Sequence, residues 1–212
     1  MKLYTDYKAP NPRRLTYFLQ YKGIELDTEI ISLADKKNLS ADYTAINPTQ
    51  TVPALVLDDG TVLSDTIAIC LYLEYKFPEK PMFGPDEVSK AQVVGWCHRI
   101  FCYGFDPVAE IFRNSNPFFV DRTFPIKTKI AQNPDLIERG KLRLTDFLNE
   151  MNAHFKGNQF IMGDSFTQAD IDCWLVPSFA KWVSIKVPQE HEAFHAWHAR
   201  VTDIIESLSL KQ

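Results

Sequence analysis

The chain has 212 residues, 45% of them hydrophobic and 24% charged, with a net charge of −4, which suits one large or two modest domains with a buried core. Its basic residues are scattered rather than clustered, so the electrostatic footprint of a nucleic-acid binder is missing. No run approaches the roughly 18 consecutive apolar residues of a membrane span, and Met1-Lys2-Leu3-Tyr4 leads into a strand pattern rather than an apolar signal core, so neither a membrane nor a secretory role is expected and a cytoplasmic location is.

Lys2 to Asp6 reads as a first strand, followed by the Pro-rich loop Tyr7-Lys8-Ala9-Pro10-Asn11-Pro12. Asn11 is the expected N-cap and Pro12 the first residue of a helix running to Tyr21, stopped by Gly23. Ile24 to Leu33, β-branched at its centre, predicts a second strand. Ser40 to Ile46 predicts a short helix ended by Asn47-Pro48. Thr51 to Leu63 turns at Asp58-Asp59-Gly60 and predicts a hairpin, because Gly accepts the positive φ of such a turn. Ser64 is then the expected N-cap of a helix carrying Asp65 in its first turn. The resulting order, βαβαββα, is that of a thioredoxin-like α/β domain, over residues 1–77.

Phe77 to Pro85 holds three prolines after its first residue and one glycine before its last, which no helix or central strand can continue through, and residues 78–87 are expected as a linker. From Val88 strand signals vanish. Helical periodicities over Val88–Asn114, Pro134–Phe155, Gln168–Val183 and His191–Leu208 predict an all-helical bundle domain over residues 88–212. Within it, Thr167 and Asp170 form an expected capping box. The cysteines Cys70, Cys97, Cys102 and Cys173 lie far apart without a C-x-x-C pair, and are read as buried thiols in a reducing compartment. His191, His195 and His198 share helical spacing but lack a supporting third element, so they are read as a solvated face and no metal is expected.

Two features point to a ligand. Pro53 at the start of a strand removes a ladder donor; a cis bond there would leave the Val52 N–H and C=O open to an extended ligand alongside. Immediately afterwards Ser64-Asp65-Thr66 opens a helix, where free N–H groups and the dipole favour a carboxylate.

Ala9-Pro10-Asn11-Pro12-Arg13-Arg14, Asn47-Pro48 before Thr51-Val52-Pro53-Ala54-Leu55, Leu63-Ser64-Asp65-Thr66-Ile67-Ala68-Ile69, and Gly163-Asp164 to Ala169-Asp170 follow one another in the order and at the distances seen in cytosolic glutathione transferases. The chain resembles that superfamily over essentially its whole length, and most closely its atypical bacterial and fungal members with an Ala-Pro-Asn-Pro loop. The resemblance implies glutathione as co-substrate, bound by the thioredoxin-like domain, a small hydrophobic electrophile met between the Ala9 loop and the bundle, and a homodimer. It implies pairing of the Val52 backbone, beside cis Pro53, with the cysteinyl part of glutathione. Asp65 and Thr66 stand where the family usually has Glu-Ser and would hold the γ-glutamyl ammonium and carboxylate. Lys37 and Asn38 are candidates for the glycyl carboxylate, and Gln50 for a further contact.

The thiol-activating residue departs from the best-known classes, since Ala9 stands where a Ser or Cys is usual. The task is to donate a hydrogen bond to the thiolate. Asn11 falls where nu-class proteins place an Asn near the thiol; Tyr4 and Tyr7 compete, as alpha, mu, pi and sigma proteins use a Tyr near the first strand's end. A third route, by helical-domain residues positioning a water, points to Ser115 and Asn116, where bacterial relatives often carry a His. Tyr103, Phe105, Phe112, Phe118, Phe119 and Trp174 are candidates for the electrophile pocket. The function implied is glutathione transfer to small hydrophobic electrophiles, with a nu-type disulfide reductase or peroxidase, or a non-catalytic glutathione-binding module, as alternatives.

Overall fold

A computed structural model describes residues 1–124, 126 and 128–209, the side chain of Ser209 excepted. It divides into residues 1–81 and 82–212. The Pro-rich stretch is shared between them: Pro78 to Pro81 end the first unit, while Met82 and Phe83 are fully buried in the second.

The first unit is a thioredoxin-like domain. Strands β1 (Lys2–Thr5), β2 (Asp27–Ile30), β3 (Ala54–Val56) and β4 (Val62–Leu63) form one sheet in the order β2-β1-β3-β4. β2 runs parallel to β1, while β3 lies antiparallel to it and to β4. Helices α1 (Pro10–Lys22), α2 (Ala41–Ile46) and α3 (Thr66–Lys76) complete the βαβαββα order. Leu3 pairs with Leu55 and Tyr4 with Ala54, so alternation sends the two pairs to opposite faces. Tyr4 and Ala54 join Ile31, Tyr43 and Val52 in one buried cluster. α1 and α3 pack on each other and bury Leu15, Phe18, Ile69 and Leu73. Their far ends are tied by Lys22, whose buried Nζ donates to Glu74 Oε2 at 2.6 Å and to the Glu79 carbonyl at 2.9 Å.

The sequence reading needs three corrections here. β2 covers four residues rather than Ile24 to Leu33. α1 is capped at Ala9 and starts at Pro10, not Pro12, so Asn11 is inside its first turn. With prolines at the first and third helical positions, Asn11 alone of those three carries an N–H, and little is left for a side-chain cap to satisfy. α3 is capped by Asp65, not Ser64: Asp65 Oδ1 accepts from the Ile67 and Ala68 amides at 2.9 and 3.3 Å.

The second unit is all-helical: α4 (Glu87–Ile100), α5 (Asp106–Ser115), α6 (Pro134–Phe155), α7 (Gln168–Ala180) and α8 (Glu192–Ser209). The helical periodicity expected over Val88–Asn114 runs unbroken through α4 and α5, but with a π turn at Phe101–Phe105 between them whose closing bond runs from the Asp106 N–H to the Phe101 carbonyl. Pro107 supplies a reason, since it has no N–H to donate and its ring clashes with the carbonyl four residues back. α5 and α6 pack along each other most extensively, with Gly140 so close to Ile111 that a Cβ there would come within 2.7 Å of its Cγ1. The capping box is present: Asp170 Oδ2 accepts from the Thr167 amide at 3.0 Å and hydroxyl at 3.2 Å. Asp170 is fully buried, and its Oδ1 accepts from the Ile161 amide at 2.9 Å and the Trp197 indole at 3.0 Å. Burial raises its carboxyl from the ordinary 3.8 to about 6.

The histidines of the last helix do not form a solvated face. His191 is buried, and His198 lies half-buried against Trp174 and Phe194, which holds its pKa below the ordinary value by desolvation. Among the described residues no group of three or more His, Cys, Asp or Glu side chains could hold a metal ion, and no helix is long and apolar enough to cross a membrane.

Candidate active site

The β1–α1 loop is shaped by Asp6, a residue the sequence reading passed over. Its buried carboxylate accepts from the Lys8 amide at 3.0 Å and the Leu33 amide at 2.9 Å, and its carbonyl accepts from the Ala9 amide at 3.0 Å. That turn delivers Asn11 to the N-terminal end of α1. Asn11 Oδ1 accepts from Arg14 Nη1 at 3.0 Å, and since a guanidinium can only donate, this contact fixes the amide's orientation. The Asn11 NH2 group therefore points away from Arg14, and it has no partner among the described residues, nor has the Asn11 backbone N–H.

Thr66 joins this corner to α3. Its hydroxyl donates to the Asn11 carbonyl at 3.4 Å, which sets the N-terminal ends of α1 and α3 side by side. The Thr66 side chain is buried and its hydrogen is already committed, so what Thr66 offers a ligand is its backbone N–H, unpaired among the described residues. Asp65 caps α3 through Oδ1 alone; Oδ2 has no partner among the described residues and the side chain is exposed. Two adjacent helix N-termini, each with an open amide, one neutral donor and one carboxylate oxygen amount to a small site with both anion- and cation-binding chemistry.

The segment before β3 is held by a second set of buried polar residues. The Thr51 carbonyl accepts from the Tyr43 hydroxyl at 2.6 Å and from Asn47 Nδ2 at 2.8 Å. Asn47 Oδ1 in turn accepts from the Thr49 amide and hydroxyl, at 3.2 and 2.8 Å. Burial raises the Tyr43 hydroxyl's pKa, so it stays protonated and donating. The Val52–Pro53 bond is cis, as expected. No described residue hydrogen-bonds to the Val52 main chain, so its donor and acceptor are open to a strand-like ligand.

The other expected residues fare differently. Asn38 Nδ2 donates to the Gln50 carbonyl at 2.9 Å, and Gln50 Nε2 to Thr44 Oγ1 on α2 at 3.0 Å: Asn38 ties down the Gln50 loop and Gln50 ties that loop to α2, while Gln50 Oε1 and the exposed Lys37 ammonium keep capacity to spare among the described residues. Tyr4 lies in the buried cluster with its ring 6.0 Å from that of Tyr43. Tyr7 is half exposed in the turn before Ala9, without a partner among the described residues. In the second unit the Ser115 hydroxyl donates to the Ile111 carbonyl at 2.8 Å, one turn back in α5, and Asn116 caps the turn that follows through the Phe118 amide at 2.9 Å.

Of the aromatic candidates, Phe112, Phe118 and Phe119 do assemble, with ring centroids 5.1 to 5.3 Å apart in sequence of contact. Trp182, not foreseen, extends the group at 5.3 Å from Phe112 and 5.1 Å from Phe179. Tyr103 is exposed, with Arg99 over its ring, whereas Phe105 is buried and Trp174 donates to the Thr202 hydroxyl at 2.9 Å.

Comparison with known proteins points to one family. Residues 9–76 match the family model described as Glutathione S-transferase, N-terminal domain. Glutathione S-transferase 2 of Saccharomyces cerevisiae is 26% identical over 95% of this chain and 85% of its own length. Glutathione S-transferase Z1 of Arabidopsis thaliana is 27% identical over 81% and 76%. Among solved structures, Gtt2 of Saccharomyces cerevisiae superposes with a TM-score of 0.85 at 26% identity, covering 98% of this chain and 100% of that one. A glutathione S-transferase domain-containing protein of Marinobacter aquaeolei reaches the same TM-score at 28% identity over 95% and 97%.

Proposed function

The chain belongs to the cytosolic glutathione S-transferase superfamily, and on that premise we propose that it transfers the thiolate of glutathione to small hydrophobic electrophiles. The observation that carries the reading is the joined corner of α1 and α3: the Thr66–Asn11 hydrogen bond sets an amide donor, a carboxylate oxygen and two N–H groups, all without partners among the described residues, on one edge of the domain. In this reading the Val52 main chain pairs with the cysteinyl unit beside Pro53. The free Asp65 oxygen receives the γ-glutamyl ammonium, and the Thr66 N–H its carboxylate. Lys37 serves the glycyl carboxylate, with Asn38 and Gln50 shaping that loop.

Asn11 is the proposed donor to the thiolate. A hydrogen bond to the charged form stabilises it and lowers the thiol pKa, and the thiolate then attacks the electrophile, forming the S–C bond as the leaving group departs. Tyr7 and Ser115 are secondary candidates; Ser115 spends its hydrogen on Ile111, and Tyr7 is held by no described contact. No protein-bound intermediate or metal is required. The protein is proposed to act as a cytoplasmic homodimer.

Calorimetric titration of glutathione and S-hexyl glutathione, with a chloro-dinitrobenzene conjugation assay, tests the proposal. Binding with conjugation supports it; binding with disulfide exchange but no conjugation would favour the nu-type reductase; binding with neither would leave a glutathione-binding module. Absence of binding by either ligand would refute all three.

A further inference from the structure

The first unit holds a cavity of about 160 Å³ between β2 and α2, on the sheet face that carries Tyr4. We propose that this cavity is a second small-molecule site, taking an amino-acid-sized zwitterion with one aromatic ring: the ring against Tyr4 and Tyr43, the ammonium at Asp42 and the carboxylate at Lys37. Of the residues assigned to glutathione only Lys37 lines it, so the inference stands or falls apart from that reading.

The floor of the cavity is apolar and fixed. Tyr4, Ile31 and Tyr43 belong to one buried cluster with Ile46 packed on it, and Tyr43 is anchored at both ends, its hydroxyl donating to the Thr51 carbonyl at 2.6 Å and its amide to Ser40 Oγ at 3.2 Å. The Tyr4 hydroxyl is the exception. Tyr4 is only 9% exposed, yet its hydroxyl has no hydrogen-bond partner among the described residues. That hydroxyl is open to solvent, since the side-chain atoms both sealed and unpartnered belong to Gln20, Gln168 and His191. A polar group held among apolar walls without a partner is costly, and a ligand atom that bonds to it recovers that cost.

Charge and size select the ligand. Of the three charged residues lining the cavity, Glu29 is taken by Lys2 Nζ at 2.7 Å. Lys37 and Asp42 are exposed and have no partner among the described residues. One ammonium and one carboxylate left open around an apolar floor are complemented by a ligand with one charge of each sign and an apolar body. An apolar cavity of about 150 Å³ takes up benzene, so the volume here suits a single ring, with the charged groups of the ligand left at the rim. An apolar recess with a few convergent polar groups is the usual form of a small-molecule site.

The test is titration of the native full chain with phenylalanine, followed by calorimetry and by amide chemical shifts, beside the same titration with S-hexyl glutathione. Phenylalanine should bind in the millimolar range and shift the amides of Ile31, Asp42 and Tyr43. Tyr4→Phe should weaken it about two- to tenfold, the loss of one hydrogen bond, and Asp42→Asn about two- to fivefold, the loss of an exposed ion pair. Both variants should keep the affinity for S-hexyl glutathione within about twofold, because that reading uses neither residue. Phenethylamine and 3-phenylpropionate, each lacking one charge, should bind more weakly than phenylalanine. Tyr4→Phe removes a hydroxyl that holds no part of the fold, so its urea midpoint should match wild type. No phenylalanine binding at about 10 mM, shifts centred on Asn11, Val52 and Asp65 instead, or unchanged affinity in both variants would overturn the proposal. Loss of S-hexyl glutathione binding alone would sink the glutathione reading and leave this one standing.

Discussion

Removing the Asn11 amide should raise the pKa of the bound glutathione thiol without abolishing glutathione binding. In Asn11→Ala the thiolate loses one hydrogen bond to a charged acceptor, an interaction worth about 1.5–3 kcal/mol. At 1.36 kcal/mol per pKa unit, the thiol pKa rises by about one to two units. Because the group is an acid whose charged form reacts, the loss is greatest below both pKa values and disappears above them. Conjugation at pH 6.5 should therefore fall roughly ten- to a hundredfold, while the gap to wild type narrows as pH rises toward 9. Asn11→Asp should be worse than Asn11→Ala: one oxygen keeps the Arg14 contact seen at 3.0 Å, and the other turns a lone pair toward the thiolate in place of a donor. The assay is kcat/KM for chloro-dinitrobenzene across pH, with glutathione affinity measured separately. A kcat/KM of Asn11→Ala within twofold of wild type and with the same pH profile would remove Asn11 from the proposed mechanism and return attention to Tyr7 and Ser115.

Asp65→Asn should keep the cap on α3, because Asn caps as well as Asp, yet weaken glutathione binding about ten- to a hundredfold through loss of a charged partner; calorimetry and a urea melt together separate the two effects, and equal binding would contradict the assigned role. Asp170→Ala strands the Ile161 and Thr167 amides and the Trp197 indole in the core, so the urea midpoint should fall by the equivalent of about 3–5 kcal/mol. Since burial holds the folded Asp170 carboxyl near 6 against 3.8, its contribution is full below about pH 4 and lost as pH rises through 6, and the stability gap between wild type and Asp170→Ala should widen from pH 7 to pH 5; a gap that narrows would show the four donors outweighing burial. Gly140→Ala should cost about 1–3 kcal/mol, because its Cβ would meet Ile111 Cγ1 at 2.7 Å and the Pro107 carbonyl at 2.9 Å; an unchanged melt would mean α5 and α6 can part at no cost.

The elements with strong local signals were legible in the chain. The Asp58-Asp59-Gly60 turn, Gly23 in the left-handed region and the Thr167–Asp170 capping box each rest on a residue type that few others can replace, and α6 has the bounds its periodicity implies. Cap choice was less legible. Ser64 and Asp65 are equally good cappers by type, and only the chain's approach from β4 decides between them. At α1 the best capper by type, Asn11, is not the cap, since Pro10 and Pro12 leave almost no amide in need of one. Periodicity likewise ran straight through Phe101–Phe105, because a π turn keeps apolar residues near the same face while inserting one residue into the count.

The least legible part of the site was its scaffold. Asp6 and Tyr43 look like ordinary loop or helix residues in sequence, and nothing in their spacing marks them; Asn47 is marked only as the end of a helix and as part of the family motif, not as a buried anchor for the Thr51 carbonyl. Folding buries all three, and each spends its polar atoms on backbone groups next to the candidate residues: Leu33 and Lys8 for Asp6, the Thr51 carbonyl for Tyr43 and Asn47. A buried polar group without a partner is costly, so these bonds hold the loops as firmly as apolar packing would. The candidate ligand-facing groups show the complementary pattern. Among the described residues the Asp65 side chain uses one oxygen and the Asn11 side chain its oxygen alone, while Val52 uses neither main-chain atom. A site of this kind is marked less by residue identity than by donors and acceptors left open beside scaffold groups that are taken, as those of Asp6, Tyr43 and Asn47 are, and that contrast exists only once the chain has folded.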